Sequence, residues 1–149
     1  MDQRAMQDVL DRLIENSKIA VMTTVDNEGK PHSRWMTPAL IRGSEHVIFS
    51  VTSPTHAKCS HIQGNPNVEW MFQTKQVGEV LNVAGKANVI DNPAVKADVI
   101  EAIGGHLQAF WKTNPDFGDL VVCETVIESY HYYKPLTGES VDVIVKGDS

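Results

Sequence analysis

Two cations and two hydroxyls carry the chemistry that this sequence offers. Arg34 stands in "GKPHSRWM" (29–36), within a stretch that otherwise reads as a buried strand. Lys58 closes "FSVTSPTHAK" (49–58), just past the end of another. An arginine among apolar strand residues must reach an anion or bear a heavy desolvation penalty. Alternation puts His32 and Met36 on the face of Arg34, and Ser33 and Trp35 on the other. Thr52 and Ser53 supply hydroxyls ahead of Lys58. A helix opening at Pro54, with Ser53 as its N-cap, would add free backbone N–H groups at its positive end. Guanidinium, ammonium, hydroxyl and N–H groups in one place make a receptor for a phosphate monoester. The plainer alternatives are a solvated helix lysine and an arginine that snorkels to water or pairs with Glu69 or Glu79. What joins the two cations is an expected pairing of the second strand with the third, which sets Arg34 beside Thr52.

Other chemistry is thinly represented. His56, Cys59 and His61 in "HAKCSH" (56–61) invite a zinc reading. Only the first two share a helix side, and no third ligand stands at standard spacing, so no metal site is expected. Trp35, Trp70 and Trp111 lie in separate segments and read first as packing residues. There is no G-x-S-x-G, P-loop, dinucleotide-binding glycine pattern or H-E-x-x-H. No side chain declares itself a general base.

The elements that must position these residues follow from periodicity. The 149 residues, 42% hydrophobic and 21% charged, fit one globular domain over 1–149. Met6, Val9, Leu10, Leu13 and Ile14 give one apolar helical face within an N-terminal helix (1–17). Strands are expected at 18–26, 31–42 and 46–52, joined by turns at "DNEGK" and "GSE". A short helix to about Gln63 follows, then a hairpin (67–75 and 79–91). A helix from Asp91 to Gly104-Gly105 comes next, then strand candidates at 120–128, 130–135 and 140–145, the last in a tail (136–149). The turns are too short for parallel crossovers. The expected fold is therefore mainly β with flanking helices, a six-stranded antiparallel barrel.

Net charge is −6, which argues against a nucleic-acid or anionic-membrane surface. No apolar run approaches the roughly 20 residues of a membrane span. The polar N-terminus and only two cysteines, Cys59 and Cys123, predict a soluble protein of a reducing, cytoplasmic compartment.

Taken together, the strand arginine Arg34, the strand-end Thr52, Lys58 six residues on, "NPN" at 65–67 and the strand glycine Gly85 resemble a known pattern. It is that of the pyridoxamine 5′-phosphate oxidase-like FMN-binding split barrels, and most of all their small general-stress-protein branch. The resemblance covers roughly residues 5–135. It implies a split barrel and a homodimer with FMN at the subunit interface. By position, Arg34 and Lys58 match the phosphate-binding cations and Thr52 the strand-end hydroxyl, with Ser53 as an addition. The backbone at Trp35, Met36 and Thr37 would line the flavin ring, and Trp111 would approach it, from the partner subunit in one arrangement. The implied activity is that of a flavin-dependent oxidoreductase acting on a small molecule, with NADH or NADPH as electron donor. Two alternatives stay open: a non-catalytic stress-response module that stores or senses FMN, and a barrel that holds haem or a deazaflavin. Departures from the vitamin-processing oxidases count against pyridoxamine-phosphate oxidation. Ala57 replaces a second cation, Val80 a glutamine, and the C-terminal Arg-x-His segment is absent. His56 stands where the branch usually has serine.

Overall fold

The computed structural model describes residues 1–104 and 119–147. The first helix, α1 (Gln3–Ser17), starts where the Asp2 carboxylate accepts from the Ala5 N–H at 2.9 Å. It ends at Lys18, whose left-handed backbone (φ 63°) lets its N–H reach the Ile14 carbonyl. Met6, Val9, Leu10 and Leu13 form its buried face, as their spacing requires.

The strands are β1 (Ala20–Val25), β2 (Pro31–Met36) and β3 (Val47–Thr52), then β4 (Asn67–Gln73) and β5 (Val80–Ile90), then β6 (Val121–Lys134) and β7 (Glu139–Ile144). The short helix α2 (Ala57–Gly64) lies between β3 and β4, and α3 (Pro93–Ile103) follows β5. All pairings are antiparallel, in the order β2-β1-β4-β5-β6-β3, with β7 added to β6.

Several expectations need correction. The strands number seven, because the candidate in the tail forms on β6. The stretches 120–128 and 130–135 are one 14-residue strand. The second strand stops at Met36 rather than Arg42, since Pro38 has no N–H to continue a ladder. It is an edge strand, exposed on one face, and not a buried one. The short helix begins at Ala57 with His56 at its N-cap, so Ser53 and Pro54 belong to the preceding turn. The next helix is capped by the Asn92 side chain rather than Asp91.

The largest correction concerns pairing. β3 does not pair with β2; it pairs with β6, from Val47↔Val126 to Thr52↔Val121. β2 and β3 are instead the two ends of the sheet path, and barrel closure brings them together. A single bridge spans this seam: Ala39 and Phe49 exchange backbone hydrogen bonds of 2.7 and 2.8 Å. The two strands run antiparallel through the bridge, so the Thr52 end of β3 lies toward the Met36 end of β2. The seam has no ladder there, which is what splits the barrel.

The main core is built by α1 and the inner sheet face around Trp70, Phe72, Leu81 and Tyr130. The Trp70 indole donates to the Thr125 hydroxyl at 3.1 Å, satisfying both inside that core. A second cluster joins α3 to β3 and β6 through Val99, Phe49 and Val122. Gly85 sits at a register shift between β5 and β6, where a Cβ would lie 2.3 Å from the Val126 carbonyl oxygen. Backbone, not a flexible side chain, blocks that space. Gly85→Ala should therefore lower unfolding free energy by about 2 kcal/mol, as overpacking does. Urea denaturation checks this, and an unchanged midpoint would show that the bulge yields freely.

Candidate functional site

At the open part of the seam, Lys58 lies in the first turn of α2 and is only 8% exposed. Its ammonium donates to Thr52 Oγ1 at 2.9 Å and to His56 Nδ1 at 3.0 Å. Thr52 Oγ1 and His56 Nδ1 are themselves 3.1 Å apart, closing a triangle. An ammonium can only donate, so Nδ1 here is an acceptor and the His56 proton resides on Nε2.

Arg34 approaches from β2, near enough for its charge to act on Lys58. It is half-buried, and Nη1 donates to the Met22 carbonyl at 3.3 Å. Burial lowers the Arg34 pKa. The Lys58 pKa is lowered by burial and then by repulsion from the Arg34 charge. That repulsion places the two cations in each other's field. The buried Cys123 thiol senses both cations, although burial still pushes it up to about 12. Among the described residues the ion pairs involve Arg12, Lys30, Lys86, His32 and His131. Among the described residues neither Arg34 nor Lys58 has a carboxylate partner, and Glu79 is taken by Arg12 and Tyr132.

The other sequence candidates separate. Ser53 turns its hydroxyl to Thr55 at 2.9 Å and contributes its carbonyl to the turn into α2. Met36 is buried in the main core, so only its backbone is open to a ligand. Thr37 is buried with a hydroxyl that has no partner among the described residues. Trp35 is 46% exposed on the opposite face of β2 from Arg34. Its strand partner is Val21, which also pairs with Met71. These three side chains and Ile19 make an exposed apolar ladder around a concavity of about 370 Å³. Trp111 lies outside the described residues.

The three residues of the zinc reading are committed to different partners. His56 holds Lys58, the Cys59 thiol donates to the Ser53 carbonyl at 3.5 Å, and His61 Nδ1 is 2.8 Å from Thr24 Oγ1. Among the described residues no group of three such side chains is arranged to hold a metal ion. The His61 ring lies 4.8 Å from that of His32, which pairs with Asp26 at 2.7 Å. Burial, His32 and Arg34 all lower the His61 pKa. Sequence reasoning missed the role of His56. The signal was present in Thr52-x-x-x-His56-x-Lys58, but the helix start had been set three residues too early for the triangle to show.

A mainly β barrel, split at one seam and flanked by helices, is the architecture of a split-barrel protein. The profile of the family described as "Pyridoxamine 5′-phosphate oxidase" matches residues 6–134, and the chain belongs to that family. General stress protein 26 of Bacillus subtilis (strain 168) is 30% identical over 125 residues, covering 82% of this chain and 83% of its own. Among solved structures, a Clostridium acetobutylicum protein related to general stress protein 26 superposes with a TM-score of 0.74 at 17% identity, covering 97% of each chain. A pyridoxamine 5′-phosphate oxidase-related, FMN-binding protein of Nostoc punctiforme gives 0.67 at 13% identity, covering 95% of this chain and 96% of that one. Among the described residues no helix is long and apolar enough to cross a membrane.

A buried ammonium without a carboxylate is a load on the ligand-free fold. Its depressed pKa means that the folded state holds fewer protons than the unfolded chain between the two pKa values. The penalty is therefore full at neutral pH and fades as pH climbs toward about 10. Lys58→Met should raise the stability of the ligand-free protein by about 1 kcal/mol at pH 7, with a smaller gain at alkaline pH. Chemical denaturation across pH measures both; a destabilised variant would mean that Lys58 supports the fold.

Proposed function

We propose that this chain binds FMN and works as a flavin-dependent oxidoreductase on a small molecule, as a homodimer. The observation that carries the reading is the cation pair Arg34 and Lys58, free of carboxylates and lined by Thr52, at the seam of the barrel. Two buried or half-buried positive charges without a counter-ion call for a dianion, and the phosphate monoester of FMN supplies one. Family membership and an FMN-binding structural neighbour support the same cofactor. The backbone at Trp35, Met36 and Thr37, one to three residues past Arg34, would border the ring. The bound flavin would supply the electron-transfer chemistry, while the chain binds, orients and shields it.

The exposed ladder of Trp35, Val21 and Met71 supports a second copy as the covering partner, since such a patch is unusual on a monomer. NADH or NADPH is the proposed electron donor. Oxidation of pyridoxamine phosphate is not part of the proposal, because Ala57 and Val80 lack the groups expected for it.

The visible spectrum of the purified protein tests the cofactor: flavin bands support the reading, and a Soret band would replace it with haem. Arg34→Ala or Lys58→Met should weaken FMN by about 2 kcal/mol, roughly 30-fold in Kd by fluorescence titration. Unchanged affinity in both variants would remove the site. Flavin that NADPH leaves unreduced under nitrogen would favour the storage or sensing module over an NADPH-driven enzyme. Sedimentation should give a dimer at micromolar concentration, and Trp35→Glu with Met71→Glu should dissociate it. A wild-type monomer would refute the shared interface.

A further inference from the structure

His56 interrupts the expected pattern at the one position where it touches both Thr52 and Lys58. An ammonium has three donors. Here one goes to the Thr52 hydroxyl and a second to the His56 imidazole. Both acceptors are neutral, so neither cancels the charge. Two acceptors held on one side of the nitrogen leave its remaining N–H turned away from both. We propose that His56 is the positioning residue of the anion site: its Nδ1 acceptor holds the Lys58 ammonium in one orientation and leaves a single aimed donor, with full charge, for a ligand phosphate. The proposal rests on the FMN reading for the identity of the ligand, but not for the arrangement itself.

The surroundings keep His56 in the required state. Burial and the neighbouring Lys58 charge lower its pKa, which favours the neutral ring that can accept. The long lysine stem is flexible, and without a second acceptor the ammonium would rotate about the Thr52 contact alone. A carboxylate at position 56 would hold the ammonium as well but would compete with the incoming phosphate. A serine there would be too short to repeat the geometry of a ring nitrogen. The imidazole therefore trades a direct ligand contact for pre-organisation of the cation, the kind of gain that appears as affinity without added charge.

The experiment compares His56→Ala, His56→Asn and His56→Gln. Asparagine can set its amide oxygen close to where Nδ1 sits, whereas glutamine carries its oxygen one bond further out. FMN titration of the apoprotein should show about a tenfold loss for His56→Ala and His56→Gln, and near-native affinity for His56→Asn. The second readout is the ¹H–¹⁵N cross-peak of the Lys58 ammonium, whose protons are shielded from exchange by two acceptors. It should be present in the wild type and His56→Asn, and broadened away in His56→Ala, with thermal unfolding the same in all three. Native FMN affinity in His56→Ala, or an unaltered ammonium signal, overturns the proposal. Should the wild type bind no FMN, the cofactor reading falls, while the ammonium signal and its shift on adding inorganic phosphate still decide the role of His56.

Discussion

The burial of the Lys58 ammonium, with the Arg34 charge opposing it, is the costly interaction that the surrounding structure must hold in place. Two positive side chains that lack carboxylates would separate into water if the fold let them. They do not, because each is held from a different side of the seam. Arg34 is anchored to the Met22 carbonyl of the neighbouring strand. Lys58 is fixed by the strand-end Thr52 and the N-cap His56. Holding these charges without a carboxylate among the described residues is a cost that packing elsewhere in the barrel must offset.

The topology explains why the charges meet where they do. Strands joined by a ladder leave no room for a ligand between their backbones. Among the described residues one bridge, from Ala39 just past β2 to Phe49 of β3, spans the seam, and the buried Pro38 has no N–H to extend it toward Arg34. Beyond that point β2 and β3 are not paired, and the chain leaves β3 through the turn into α2 that carries His56 and Lys58. A fully paired seam would have closed the barrel and excluded the site. The second apolar cluster, with Phe49 and Val51 on β3 and Val99 on α3, holds β3 in place despite its missing neighbour.

Much of this was legible in the sequence, and the failures have physical causes. The apolar stripe of α1, the Asp26–Gly29 turn and the hairpin of β4 and β5 could be read because the interactions that form them are local. Thr52 and Lys58 are in contact, but the pairing expected to bring Arg34 to them does not form. The expected β2–β3 ladder followed from adjacency in the chain, whereas closure of a barrel is set by contacts between residues such as Ser50 and Cys123, far apart in sequence. The start of α2 was misread because Ser53 and Pro54 are good cap residues in isolation. In the fold the Ser53 hydroxyl turns to Thr55, and the His56 N–H is already bonded to the Ser53 carbonyl. Nothing local in "SPTHAK" reveals that the imidazole accepts from Lys58.

One strand serves two purposes, and its register decides both. Alternation along β2 turns Arg34 toward the seam and Trp35 toward the exposed apolar ladder, so the cation and the aromatic differ by a single residue. A slip of one residue between β1 and β2 would exchange them, burying the indole and exposing the guanidinium. That register is pinned by the turn before β2. The Asp26 carboxylate accepts from the Glu28 and Lys30 N–H groups, both at 2.9 Å, and Gly29 takes the positive φ of 82° that the turn needs. The same carboxylate holds His32, the next residue on the face of Arg34. The turn lies at the far end of the hairpin from the seam bridge, yet it sets which β2 side chains share the face of Arg34. The charge of the site and the apolar face beside it are thus two outcomes of one local choice of turn.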